Sequence, residues 1–101
     1  MYMIDDKEKI FNRVLEVVAG EMKIKEDDIL SRSRKIEIVL PRNVLIFILR
    51  KYFGFSYPAI AKLVGLQHTT IINSYRNVVK MSFLSDYSDR LFREKSSIAR
   101  D

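Results

Sequence analysis

Four consecutive side chains, Gln67-His68-Thr69-Thr70, hold most of the recognition chemistry in this sequence. A glutamine pairs bidentately with the N6 and N7 edge of adenine. A threonine offers a methyl group to thymine and a hydroxyl to phosphate. His68 is the single histidine, and no cluster of further ligands accompanies it to make a metal site. The four close the stretch Ser56-Tyr-Pro-Ala-Ile-Ala-Lys-Leu-Val-Gly65-Leu-Gln-His-Thr-Thr-Ile71, which reads as a short helix, a turn and a second helix. Ala61 is small enough for two helices to approach, Gly65 tolerates the turn's backbone, and Ile71 locks the second helix to a core. In a helix-turn-helix, the first residues of the second helix contact base edges in the major groove. Plainer readings exist for each residue. Thr69 or Thr70 caps a helix well, and Gln67 suits a solvated turn.

Such a unit needs a domain around it, and 101 residues suffice for one small domain with one core. Apolar residues make up 48% of the chain, enough to pack that core, and no apolar run is long enough to cross a bilayer. The start, Met1-Tyr-Met-Ile-Asp-Asp, lacks the basic stretch of a secretory signal. The chain has no cysteine, which excludes disulfides and thiolate metal sites and fits a reducing, cytoplasmic setting. The net charge of +5 is unevenly placed. Residues 1–30 carry five Lys/Arg and eight Asp/Glu, and residues 81–101 carry four of each. Residues 31–80 carry nine Lys/Arg against Glu37 alone, so +8 lies on the segment holding the helix-turn-helix. A one-sided positive field attracts a polyanion, although a generic basic surface also keeps a protein soluble.

The pattern predicts an all-α domain over residues 1–101. A helix over 5–22 carries Ile10, Phe11, Val14, Leu15, Val17 and Val18 on its apolar side, with Asp5 or Asp6 as cap and Gly20 weakening its last turn. One helical turn at 26–30 pins Ile29 and Leu30. Residues 31–40 read as a loop, basic in its first half. Ile36, Ile38 and Leu40 alternate like a strand, but a lone strand has no partner. Pro41 then opens a helix over 41–53, with Val44, Leu45, Ile48 and Leu49 buried, Phe47 and Tyr52 beside them, and Gly54 past its end. Ser56 caps a helix over 57–64. The helix-turn-helix spans about 56–84, its second helix starting at Gln67 or His68 with Ile71, Ile72, Tyr75, Val78, Val79 and Phe83 on the apolar side. Tyr75 and Phe83 are expected in the core. A last helix over 86–96 carries Tyr87, Leu91 and Phe92, and residues from Ser96-Ser97 onward are expected to fray. Phe83, Leu84, Tyr87, Leu91 and Phe92 cover either the domain's own core or a dimer seam. Tyr57 either packs or donates to a phosphate.

Taken in order, these residues resemble the C-terminal DNA-binding domain of the bacterial replication initiator DnaA, of the Trp-repressor-like superfamily, over about residues 9–95. The matching segments are Lys23-Ile-Lys-Glu-Asp-Asp-Ile-Leu-Ser31, Arg32-Ser-Arg34, Pro41-Arg42, Ser56-Tyr-Pro-Ala-Ile60 and Gln67-His68-Thr69-Thr70. The sequence departs from the family where Gln67 replaces an acid and where Gly65-Leu66 makes a turn one residue shorter, without the usual arginine. Ser33 and Ile36 also stand where the family's loop is more basic. No P-loop motif occurs, and the chain starts at its own methionine, so a module without ATPase is expected.

The resemblance implies sequence-specific binding to double-stranded DNA. Gln67, His68, Thr69 and Thr70 would read the major groove, one threonine touching a thymine methyl. Arg34 matches the arginine that the family inserts into the minor groove, where a narrow A·T-rich groove attracts a guanidinium. Arg32, Lys35, Arg42, Arg50 and Lys62 are candidate phosphate ligands, with Arg42 and Arg50 favoured by their place on the helix beside the reading unit. No paired acids, Ser/His/Asp set or metal cluster suggests an enzyme, and no cofactor or small-molecule substrate is expected. Two rival readings are a small Trp-repressor-like dimeric regulator, self-associating through the C-terminal helix, and an adaptor that has lost DNA binding.

Overall fold

One helix is buried on all sides through its middle, and the others are arranged around it. The computed structural model describes residues 4–95. Among them it has six helices and no strand: α1 (Ile4–Met22), α2 (Glu26–Ile29), α3 (Ile36–Lys51), α4 (Tyr57–Val64), α5 (His68–Lys80) and α6 (Ser82–Glu94). Every residue of α3 from Pro41 to Leu49 is buried. A helix without a solvated face belongs in a protein's centre, and α1, α2, α4, α5 and α6 each pack on α3. The stripe expected at Val44, Leu45, Ile48 and Leu49, with Phe47 beside it, is buried as expected and widens to include Ile46. Truncating a fully buried leucine such as Leu45 to Ala should cost about 2–5 kcal/mol.

The flanking helices follow their local signals. α1 buries Ile10, Phe11, Val14, Leu15 and Val18 against this core, with Val17 half-buried. Asp5 and Asp6 lie within the span of α1 rather than ahead of it. Gly20 is helical, and α1 closes instead at Lys23, which takes a left-handed φ of 59° while Ile24 N–H donates to Ala19 C=O at 3.0 Å. α2 is the expected single turn and buries Ile29 completely.

Two boundaries differ from the sequence reading. α3 begins at Ile36, five residues before Pro41, which lies inside the helix. Residues 36–40 are therefore helical, and the loop ends at Lys35. A proline there removes one hydrogen bond, to the Glu37 carbonyl. Glu37 is exposed, so water can replace that donor, and burial of Ile38 and the following residues outweighs the loss. The second difference is the end of α5, which stops at Lys80. Met81 adopts an extended backbone (φ −96°, ψ 94°), and α6 starts at Ser82, not at 86. The earlier break puts Leu84, Ser88 and Leu91, spaced i, i+4, i+7, on one buried face of α6.

The same break turns Phe83 outward. It is 68% exposed, with Val79 and Met81 also exposed nearby, so Phe83 is not the core residue its spacing suggested. Tyr75 does pack inward, its ring stacked on Phe47 at 5.5 Å. Leu84 and Leu91 are buried, Tyr87 is half-buried, and Phe92 stacks on Tyr52 at 3.9 Å, so most of the apolar side of α6 serves its own domain. The expected fraying from Ser96 lies outside the described residues. No described helix is long and apolar enough to cross a membrane.

Candidate nucleic-acid interface

The helix-turn-helix is built as its local chemistry demands. Ser56 caps α4, its Oγ accepting from Ala59 N–H at 3.2 Å, with Pro58 in the first turn. Gly65 ends α4 in the left-handed region at φ 76°, and Gly65 N–H donates to Ala61 C=O at 2.9 Å. A Cβ on Gly65 would meet nothing within 4 Å, so glycine is required by backbone conformation and not by space. Gln67 is the N-cap of α5 by backbone geometry, but no side chain makes a capping hydrogen bond there, and the first turn holds no acid. The start of α5 therefore presents backbone N–H groups and the positive end of a helix dipole. Gln67, His68, Thr69 and Thr70 are all exposed, and Ile71 is fully buried beneath them.

The basic loop, residues 30–35, is ordered by its serines. Ser31 Oγ donates to Asp28 C=O at 2.6 Å and accepts from Ser33 N–H at 3.3 Å, while Ser33 Oγ accepts from Lys35 N–H at 3.2 Å. Ser31 and Ser33 are half-buried, and Arg32, Arg34 and Lys35 are exposed. Arg42 lies beneath this loop. Its Nε donates to Ile29 C=O at 2.8 Å, and its Nη2 to Ser31 C=O at 2.7 Å and Ser33 C=O at 3.1 Å. Arg42 is only 7% exposed, and burial lowers its pKa from the usual arginine value. The expectation of an exposed phosphate ligand at Arg42 is corrected by this burial, because the guanidinium is committed to three carbonyls. Position 42 looks solvated in sequence only because the carbonyls come from residues 9 to 13 positions earlier.

Loop and recognition helix then meet. A cleft of about 720 Å³ is lined by Arg32, Arg34, Gln67 and Thr70, together with Asn43, Ser74 and the turn at Gly65-Leu66, and the largely buried Arg42 reaches its wall. His68 and Thr69 are exposed but do not line it. The remaining cations are scattered. Lys35 borders a separate depression with Asp28 and Glu37, and Lys62 borders another with Lys7 and Glu8. Arg50 is half-buried. Its guanidinium lies 4.3 Å from the centre of the Tyr57 ring, and its Nη1 donates to Phe55 C=O at 3.1 Å. Tyr57 packs, with Tyr75 edge-on at 6.2 Å and His68 tilted at 6.3 Å.

Sequence reasoning passed over Asn43 and Ser74, and on α5 it named Thr69 but not the rest of its stripe. Thr69, Asn73, Arg76 and Lys80 are all exposed, and their spacing puts them on one helical face. The i, i+4, i+7, i+11 pattern starting at Thr69 would have found them. Among the described residues, no group of three or more His, Cys, Asp or Glu could hold a metal.

Comparison with known proteins matches residues 11–78 to the family described as the bacterial dnaA protein helix-turn-helix. Among curated relatives, the chain is similar to the chromosomal replication initiator protein DnaA of Ureaplasma parvum, 39% identical over 70 residues, covering 68% of this chain and 15% of that protein. It is similar to the same-named protein of Geotalea uraniireducens, 41% identical over 64 residues, covering 62% of this chain and 14% of that protein. The DnaA of Kosmotoga olearia is 32% identical over 65 residues, with 64% and 14% covered. The chain thus spans only about 14–15% of the length of these relatives. The matched residues include the basic loop, the Ser56 cap, the turn at Gly65 and the exposed start of α5, and on that match the chain belongs to the bacterial DnaA helix-turn-helix family.

Proposed function

We propose that this domain binds double-stranded DNA sequence-specifically. The start of α5 enters the major groove, and Arg34 reaches the adjacent minor groove. The observation that carries this reading is the shared cleft, in which Arg32 and Arg34 of the loop face Gln67 and Thr70 of α5. Two recognition elements on adjacent sides of one concavity suit a duplex, whose grooves alternate across a phosphate ridge. His68, Thr69 and Thr70 supply base and backbone contacts, and Gln67 favours adenine. Arg32 and Lys35 flank the minor-groove arginine as phosphate ligands, and Arg76 and Lys80 extend the positive face along α5. Lys62 borders a different depression and is a peripheral phosphate ligand at most. The domain itself does no bond chemistry. A part in chromosomal replication initiation is the role that the relatives' name suggests, and binding chromosomal DNA would put the domain on the nucleoid in the cytoplasm.

The test selects bound sequences from a random duplex pool at near-physiological salt, then measures affinity for the enriched duplex against salt. One enriched motif is expected, with a log–log slope of roughly −4 to −5 for ~4–6 neutralised phosphates. An enriched inverted repeat, bound by two copies, would favour the dimeric regulator. No enrichment, together with a slope near zero, would leave the adaptor reading.

A further inference from the structure

The basic loop has no regular secondary structure, yet its side chains alternate as a strand's do. Ser31 and Ser33 turn inward, and Arg32 and Arg34 turn outward. The inward carbonyls of Ser31 and Ser33 both accept from Arg42 Nη2, and Ile29 C=O accepts from Nε. A carbonyl fixed to a buried guanidinium fixes the peptide plane, and with it the direction of the next side chain. The residue after Ser33 is Arg34. The serine hydroxyl bonds, Ser33 N–H to Ser31 Oγ and Lys35 N–H to Ser33 Oγ, are local and weaker, and hold the chain only from within the loop. Arg42 is the support that comes from α3, and so it ties the loop to the domain's central helix.

We propose that Arg42 is a positioning residue for DNA recognition, anchoring the basic loop to α3 through the Ile29, Ser31 and Ser33 carbonyls so that Arg34 is held at the cleft without searching for it. The proposal rests on the reading of Arg34 as a minor-groove residue. A preorganised guanidinium loses little freedom on binding, so the effect of Arg42 reaches DNA through Arg34. Lysine cannot replace it, because a compact ammonium cannot span three carbonyls in the fixed planar fork of a guanidinium.

The experiment compares wild type, Arg42→Met and Arg42→Lys in the full chain, each alone and combined with Arg34→Ala. Two measurements are made. The first is amide hydrogen exchange at Ser33, Arg34 and Lys35. Exchange should quicken on the order of tenfold in Arg42→Met and less in Arg42→Lys, with the amides of α3 and α5 unchanged. The second is affinity for the enriched duplex and for a partner duplex with one A·T to G·C change in the minor-groove segment that depends on Arg34. Arg42→Met should lose about tenfold in affinity and lose discrimination between the two duplexes, while preferences at the α5 base pairs persist. On the Arg34→Ala background, Arg42→Met should cost less than twofold. An additive loss with a salt slope shallower by about 1 would mean that Arg42 itself touches a phosphate, and would overturn the proposal. Unchanged exchange at residues 33–35 in Arg42→Lys would also overturn it, and that variant decides the matter if Arg42→Met fails to fold. If wild type binds no duplex, the proposed function fails. The exchange measurement then decides whether Arg42 anchors the loop.

Discussion

The Arg50 guanidinium lies 4.3 Å from the centre of the Tyr57 ring while its Nη1 donates to Phe55 C=O. One side chain at the end of α3 thus holds both the turn before α4 and the first residue of α4. Stacking of this kind is worth about 0.5–1 kcal/mol and the hydrogen bond about 1 kcal/mol. Arg50→Ala should therefore destabilise by about 1–2 kcal/mol, a fall in Tm of about 4–8 °C per kcal/mol for a domain of this size. Thermal unfolding by circular dichroism measures it. An unchanged Tm combined with a shallower salt slope for DNA would instead make Arg50 the phosphate ligand that its sequence position suggested.

A second brace predicts pH dependence. The Tyr52 hydroxyl donates to Asp89 Oδ1 at 2.5 Å, and Lys51 Nζ lies 2.9 Å from the same oxygen. Desolvation pushes the Asp89 carboxyl up, but the hydrogen bonds from Tyr52 and Lys51 outweigh it and hold the pKa below the usual carboxylate value. A depressed carboxylate adds stability above its unfolded pKa of about 4, which is lost as pH falls through the folded value. Lys51 is raised, first by its hydrogen bond to Asp89, and Tyr52 is raised, first by burial. Their contributions are present below about pH 10 and disappear as pH rises through their folded values. Asp89→Asn should flatten the acid limb of a stability–pH curve and lower stability at neutral pH by about 1–3 kcal/mol. Parallel acid limbs for the two proteins would show that this brace is not linked to protonation.

Arg34→Ala should weaken binding to the enriched duplex by about 1–3 kcal/mol. The residue is exposed, so folding should hardly change. Lysine should recover only part of the affinity, since a guanidinium is less strongly hydrated than an ammonium and fits the groove better. Fluorescence anisotropy titrations on A·T-rich and G·C-rich flanks check both points. Wild-type affinity in Arg34→Ala would remove the minor-groove contact from the proposed function.

Gln67 should shift base preference relative to an acid at the same position. Its side chain makes no capping hydrogen bond, and it lines the cleft. Glutamine pairs with adenine, whereas aspartate accepts from cytosine N4, each match worth about 1–3 kcal/mol. Wild type and Gln67→Asp, titrated on four duplexes differing at one base pair, should prefer A·T and C·G respectively. Identical preferences would mean that the short turn after Gly65 directs Gln67 away from the bases.

Local chemistry alone determined much of this domain. The α4 span follows from the Ser56 side chain capping backbone three residues away, the turn from the left-handed freedom of Gly65, and the start of α5 and the single turn of α2 from the spacing of the apolar residues they bury. That is why the exposed Gln67-His68-Thr69-Thr70 group was legible in sequence. Tertiary structure decided the rest. Residues 36–40 join α3 because burial in the central helix outweighs one carbonyl bond lost at Pro41. The break at Met81 is where α6 folds back onto the core. A straight helix from 68 to 94 would run about 40 Å at 1.5 Å per residue, longer than the 35 Å domain. Folding back buries Leu84 and Leu91 at the expense of exposing Phe83. Arg42 needed the whole fold, because a buried arginine and an exposed one have the same sequence. Only the approach of the Ile29, Ser31 and Ser33 carbonyls across 9 to 13 residues separates an anchor from a phosphate ligand.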